Sequence, residues 1–148
     1  MPSTHTSLYY HLVFATKNRE PLISGDWRAR LHEYLGGTVR GLDGVPQGIG
    51  GVADHVHLLV ALKATHCLAD FRRELKKASS AWITTVMPKQ HFQWQEGYAA
   101  FTVSPTARIA VQKYIANQED HHRRRSYRDE LIALLRKAGV EYDERYLD

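Results

Sequence analysis

Along the chain the apolar positions switch between a two-residue and a roughly four-residue spacing, and each switch marks an element. SLYYHLVFATK (7–17) is rich in β-branched and aromatic side chains and predicts a strand. NREPLISGD, broken by Pro21 and Gly25, predicts a loop. From Trp27 onward Leu31, Leu35, Val39 and Leu42 recur at helical spacing, with Asp26 in position to cap the helix. GVPQGIGGVADHVHLLVAL (44–62) predicts two strands, or one long bent strand, with Gly50-Gly51 at the bend or hairpin. Thr65 then caps a helix with the stripe Leu68, Phe71, Leu75, Ala78, Trp82 and Val86, ending before Pro88, and Arg72, Arg73, Lys76 and Lys77 fall largely off that stripe. GYAAFTVS (97–104) predicts another strand. Ser104-Pro105 signals the start of a helix running through TARIAVQKYIANQ. After the basic break EDHHRRR, Ser126 opens a final helix, YRDELIALLRKA, closed by Gly139.

The order β-α-β-β-α-β followed by helices is the split βαβ, ferredoxin-like pattern. It predicts one α+β domain over 1–148: a four-stranded antiparallel sheet with helices on one face, then a tyrosine-bearing helix and a final short helix. One face of the sheet is left for a site.

DHVHLLV (54–60) interrupts an otherwise apolar strand with two histidines. Val56, Leu58 and Val60 share one parity; His55, His57 and Leu59 share the other. Side chains two apart on a strand point the same way and stand about 7 Å apart, so His55 and His57 can converge on one metal ion or one phosphate. Two core or edge histidines, each with its own hydrogen bond, satisfy the same pattern. Further along, Tyr114 and Gln118 stand four apart, hence on one face of a helix. A phenol can be the nucleophile in covalent phosphoryl transfer, and an amide oxygen is a neutral, hard ligand for Mg²⁺ or Mn²⁺. A packed ring and a solvated amide would look the same.

Composition narrows the class. At 148 residues, with 43% hydrophobic and 24% charged, the chain has the makeup of an ordinary globular domain. MPSTHTSLYY has no basic segment leading into an apolar run, so no signal peptide is expected, and no apolar stretch approaches the roughly 20 residues that span a bilayer. A single cysteine, Cys67, excludes an intramolecular disulfide and a CxxC zinc site. A cytoplasmic location is the expectation. The net charge of +4 is unevenly spread: residues 63–91 and 108–128 together carry +8 and the remainder −4. Concentrated positive charge is the footprint of a nucleic-acid binder, although two solvated helix faces would also produce it.

These pieces together resemble the single-tyrosine HUH transposases of small bacterial insertion sequences and their REP-associated relatives. The family's His–hydrophobic–His motif corresponds to His55-Val56-His57, and its Y-x-x-x-Q to Tyr114 and Gln118. YHLVFATKNREPLI, DFRRELKKASSAW, WQEGYAAFTVS and the tail VEYDERYLD are similar as well, so the resemblance spans nearly the whole chain. One departure is Ala53, where many relatives carry proline.

The resemblance implies metal-assisted transesterification on hairpin-containing single-stranded DNA, without a nucleotide cofactor. Tyr114 would be the nucleophile, forming a 5′-phosphotyrosine, and His55, His57 and Gln118 would hold Mg²⁺ or Mn²⁺. It also implies a homodimer, often with one subunit's tyrosine helix at the other's histidines. Lys17, Arg19, Arg72, Arg73, Lys76, Lys77, Lys113, Arg123, Arg124 and Arg125 are then the candidate DNA contacts.

Two other classes share parts of the pattern. A catalytically silent single-stranded DNA- or RNA-binding module of the same fold would need aromatics on its central strands, where HVHLLV offers histidines. A cupin-like oxygenase also places H-x-H on a strand but needs many more strands.

Overall fold

The computed structural model describes residues 3–147, so Met1, Pro2 and Asp148 of the domain expected over 1–148 lie outside the described residues. Strand β1 (Tyr9–Ala15) is followed by helix α1 (Gly25–Gly41), strands β2 (Val45–Gly51) and β3 (His55–Ala61), helix α2 (Leu68–Val86) and strand β4 (Ala99–Val103). Helices α3 (Arg108–Ala116), α4 (Gln118–His122) and α5 (Tyr127–Ala138) complete the order. The four strands form one antiparallel sheet in the order β2-β3-β1-β4, as the split βαβ pattern requires. The HVH strand is therefore central. Among the described residues, no helix is long and apolar enough to cross a membrane.

Strand parity divides the molecule. Leu12, Phe14, Val56, Leu58 and Val60 point to one face, where they pack on Trp27, Leu31, Leu35 and Val39 of α1 and on Phe71, Leu75 and Ile83 of α2. Each fully buried side chain of this kind contributes about 1.5–3 kcal/mol over its exposed state. The opposite parity presents His11, Val13, Ala15, His55, His57 and Leu59. There α5 covers Val13 and Ala15 with Tyr127, Leu131 and Leu135, and α3 covers Leu59 with Ile115. The tyrosine helix and the final helix thus close over the face that bears the histidines.

Several boundaries differ from the sequence expectation. Helix α1 starts at Gly25 after Ser24, and Asp26 sits in its first turn, accepting from the Ser24 hydroxyl at 3.2 Å rather than capping the helix. Helix α2 starts at Leu68 after Cys67, three residues beyond Thr65. The expected helix from Ser104 opens with a 3-10 turn, Pro105–Ala107, and stops at Asn117, so Gln118 begins α4 instead of continuing α3. Part of the expected break EDHHRRR is consequently helical. Helix α5 begins and ends as expected: the Ser126 hydroxyl accepts from the Asp129 amide, and Gly139 adopts a left-handed φ of 70°.

The buried stripe of α2 also differs, for a polar reason. Phe71, Leu75, Lys76, Ser79 and Ile83 are buried. Ser79 Oγ accepts from the Trp94 indole at 2.9 Å and donates to the Leu75 carbonyl at 2.8 Å. The Lys76 ammonium donates to the carbonyls of Gln95, Glu96 and Gly97 at 2.5, 3.3 and 2.9 Å. Lys76, expected on a DNA-facing surface, is instead a clasp that holds the segment leading into β4. Lys76→Met keeps the length of the side chain and leaves those carbonyls without their donor. It should destabilise the fold by about 1.5–3 kcal/mol, measured as the shift in urea unfolding followed by tryptophan fluorescence. Unchanged stability would show that the clasp carries no weight.

Candidate active site

The sheet and three helices bring the sequence candidates together. His55 and His57 rise from β3, both fully buried, Gln118 opens α4 at 2% exposure, and Tyr114 sits one turn earlier on α3. Despite the break at Asn117, the Gln118 side chain reaches back one turn, Nε2 donating to the Tyr114 carbonyl at 3.4 Å. Residues not singled out from the sequence complete the cluster. Glu130 of α5, 1% exposed, places Oε1 at 2.9 Å from His57 Nε2, 3.3 Å from His55 Nε2 and 3.2 Å from His122 Nε2. Its other oxygen accepts a short hydrogen bond from the Tyr114 hydroxyl and another from Gln118 Nε2 at 3.2 Å. Gln118 therefore turns its amide oxygen towards the rings, 3.2 Å from His55 Nε2 and 3.1 Å from His122 Nε2.

A second layer orients the rings. Asp54 Oδ1 lies 2.7 Å from His55 Nδ1. His11 Nε2, on the neighbouring strand, lies 2.7 Å from His57 Nδ1. Val13 pairs directly with His57, so His11 reaches it on the diagonal of the same face. Such partners fix which nitrogen of a histidine is turned inward.

The electrostatics follow from burial and from two carboxylates. Burial alone would lower His55, but hydrogen bonds and charge from Asp54 and Glu130 outweigh it and raise it to about 9. His57 meets one carboxylate, and burial wins, lowering it. The proton of the cluster therefore resides on His55. Burial would raise Glu130, but the three imidazoles hold it far below the usual carboxylate range. Tyr114 is pushed up by burial and then by Glu130, so its phenol is protonated at neutral pH.

Two other histidines are held neutral. Burial, then the charge of His57, lowers His11 to about 3, and burial, then Arg28, lowers His32 to about 4. Between those values and 6.5 the unfolded chain takes up protons that the native chain refuses. Stability is then full above about pH 6.5 and lost as pH falls, by on the order of 1 kcal/mol per unit for each group. The urea midpoint should drop by several tenths molar or more between pH 7 and pH 5, and His32→Gln should remove a substantial part of that drop. An identical pH slope in the variant would refute the assignment.

The donor set suits a metal ion. Glu130 Oε1 has two lone pairs but three ring nitrogens within 3.3 Å, so it cannot accept three good hydrogen bonds. Protons satisfy these contacts a pair at a time; one divalent cation satisfies all of them at once. The residues present therefore fit the ion that the HUH resemblance implies.

The basic candidates distribute into two clefts. One, of about 760 Å³, is lined by Lys17, Arg72, Lys77 and Trp94. The other, of about 490 Å³, lies beside Asp54 and His122 and is lined by Arg19, Arg125 and Tyr127. Asn18 belongs to both, so the clefts adjoin. Arg73 pairs with Asp70 at 3.0 Å and Arg123 with Asp120 at 3.2 Å on exposed helix turns. Lys113 and Arg124 are exposed.

Glu130 had a legible signal: it lies on the buried stripe of Tyr127, Leu131 and Leu135, where a carboxylate demands a partner. Asp54 and His11 adjoin the motif in sequence or in parity. His122 follows Gln118 by four residues, the spacing that joins Tyr114 to Gln118, so the same helical face carried its signal.

The family profile described as "Transposase IS200 like" matches residues 4–118. The ISDra2 transposase TnpA of Deinococcus radiodurans is 30% identical over 121 residues, spanning 76% of this chain and 85% of that protein. A Deinococcus radiodurans R1 chain solved at 1.90 Å as a candidate transposase superposes with a TM-score of 0.66 at 29% identity, covering 80% of this chain and 95% of that one. The structure of a REP-associated tyrosine transposase bound to a REP hairpin superposes with a TM-score of 0.60 at 14% identity, covering 82% and 74%. This last likeness concerns the fold alone.

Proposed function

The chain belongs to the IS200-like transposases, and from that premise we propose that it nicks and rejoins single-stranded DNA through a covalent bond to Tyr114. The observation that carries this reading is the Tyr114 hydroxyl directed at the same carboxylate that joins His55, His57 and Gln118. A nucleophile, its proton acceptor and an ion site lie within one cluster.

In the proposed reaction the Tyr114 oxygen attacks the phosphorus of a phosphodiester. Its proton leaves through the contact with Glu130 Oε2 and is relayed to the departing oxygen as the P–O3′ bond breaks, giving a 3′-OH and returning Glu130 to its carboxylate form. A 5′-phosphotyrosine remains, and a 3′-OH from another strand can reverse the step and join ends. Mg²⁺ or Mn²⁺ held by His55, His57 and Gln118 would supply charge stabilisation at the phosphate. Asp54 and His11 fix the rings that face it. Burial by α5 keeps water from competing with the strand for the phosphotyrosine.

The substrate proposed is a single strand carrying a hairpin, such as the REP hairpin held by the REP-associated neighbour. Lys17, Arg72 and Lys77 in one cleft and Arg19 and Arg125 in the other would track its phosphates, with Arg73, Lys113, Arg123 and Arg124 outside them. A homodimer would bring two such sites together for joining. The test is a hairpin oligonucleotide from the flanks of the gene, incubated with the protein and Mn²⁺. A detergent-resistant protein–DNA adduct and a free 3′-OH product are expected. Tight binding without either product would favour a silent binding module.

A further inference from the structure

The ion site as inferred from the HUH resemblance has three protein ligands, His55, His57 and Gln118, yet five protein atoms face the same point. We propose that His122 Nε2 and Glu130 Oε1 are also direct ligands, making this a five-donor site with three imidazoles, an amide and a carboxylate. The proposal rests on the reading of His55, His57 and Gln118 as an ion site and adds residues that lie beyond the matched span of 4–118.

Geometry supports it first. A divalent ion with bonds of roughly 2.1 Å places ligand atoms at right angles about 3.0 Å apart. The separations from Glu130 Oε1 to His57, His122 and His55 Nε2 are 2.9, 3.2 and 3.3 Å. Those from Gln118 Oε1 to His122 and His55 Nε2 are 3.1 and 3.2 Å. These are the edges of a coordination polyhedron already drawn together. One ligand atom from each of His55, His57, His122 and Glu130 lies within 4.8 Å of the other three.

Chemistry and charge support it independently. Glu130 is 1% exposed, and a buried carboxylate needs compensating positive charge. Its neighbours are three imidazoles, a phenol and an amide. A dication there neutralises the carboxylate and uses the lone pairs of all three rings. In six-coordinate geometry five protein donors leave one position, the number needed by a phosphate oxygen. Three nitrogens among five donors select a transition-metal dication over Mg²⁺, which prefers an all-oxygen shell.

The site therefore belongs to α4 and α5 as much as to the HUH strand, and its selectivity comes from this chain's own C-terminal helices.

The experiment is titration of the DNA-free, full-length protein with Mn²⁺ alone, read by calorimetry and by pulsed EPR of the bound ion. Expected are one site, modulation from three imidazole nitrogens, and Mg²⁺ displacing Mn²⁺ only at large excess. Glu130→Gln and His122→Ala should each weaken Mn²⁺ binding at least about tenfold, the latter reducing the nitrogen count to two. His57→Ala is the control for the underlying reading. If it leaves Mn²⁺ binding unchanged, the HUH strand holds no ion and both statements fall. If it abolishes binding while the wild type shows only two nitrogens and the other variants bind normally, the HUH reading stands and the added ligands are overturned. The nitrogen count is taken on the wild type, so it decides the matter even if a variant misfolds.

Discussion

Tyr114→Phe should lower formation of the covalent DNA adduct by at least about 10³-fold while leaving the fold and DNA affinity nearly intact. The change removes one oxygen and keeps the ring, so the packing of α3 on Leu59 and Val103 survives. The lost hydrogen bond to the Glu130 carboxylate should cost about 1.5–3 kcal/mol, too little to unfold an ordinary domain. The catalytic loss is of another order, because nothing else can form the same ester. The choice of nucleophile has one serious rival among the described residues. Tyr127 lies against His55 with ring centroids 4.5 Å apart, closer than the 5.7 Å between Tyr114 and His57. Yet the Tyr114 hydroxyl is hydrogen-bonded to Glu130, its proton acceptor, whereas Tyr127 feels that carboxylate through its charge. Tyr127→Phe should therefore keep the adduct. The reverse result, with the adduct surviving in Tyr114→Phe and lost in Tyr127→Phe, would move the nucleophile to α5 and overturn the mechanism.

Much of the fold was legible because periodicity reports burial. The two parities of SLYYHLVFATK and DHVHLLV anticipate both faces of the central strands, and the stripe of Leu31, Leu35 and Val39 anticipates the packing of α1. What could not be read is whatever depends on a polar group finding a distant partner. Lys76 and Ser79 enter the interior because carbonyls at 95–97 and the Trp94 indole meet them, which no local pattern encodes. The break at Asn117 is different, because asparagine is a weak helix former that suits a helix end, and it serves there as the cap of both α3 and α4. Within the site, spacing raised His55, His57, Tyr114 and Gln118 as candidates beside plainer readings, and the family resemblance joined them. Glu130 and His122 come from helices later in the chain, and their convergence is a property of the tertiary structure alone.

Gly50→Ala should disable cleavage by about 10²-fold or more, although Gly50 has no side chain and only pairs its backbone with His57 across the sheet. β2 is an unusual strand, VPQGIGG, and its glycines make sense only with α3 in place. A Cβ built on Gly50 would stand 2.2 Å from the Ile115 carbonyl oxygen and 3.1 Å from the Ile115 side chain. The obstacle is backbone, so the helix itself would have to move by about an ångström. Ile115 directly follows Tyr114, so the nucleophile and Gln118 would be carried off the histidines. Misplacement on that scale costs about 10²-fold in rate. Beside Gly50, Gln112 ties α3 to β2 through a 2.9 Å bond to the Gln47 carbonyl, and together they bind the tyrosine helix to its own sheet. Binding of the hairpin should change little, because the basic clefts lie elsewhere. Gly37→Ala serves as a control: nothing lies within 4 Å of its added methyl, and a mid-helix alanine should stabilise α1 by up to about 1 kcal/mol. The opposite outcome for Gly50→Ala would be just as informative. If the variant cleaves normally, α3 leaves its own sheet during the reaction and the tyrosine is delivered to a second copy. A mixture of Tyr114→Phe and His57→Ala chains would then recover activity that neither has alone. With the helix docked on its own sheet as here, that mixture should stay inactive.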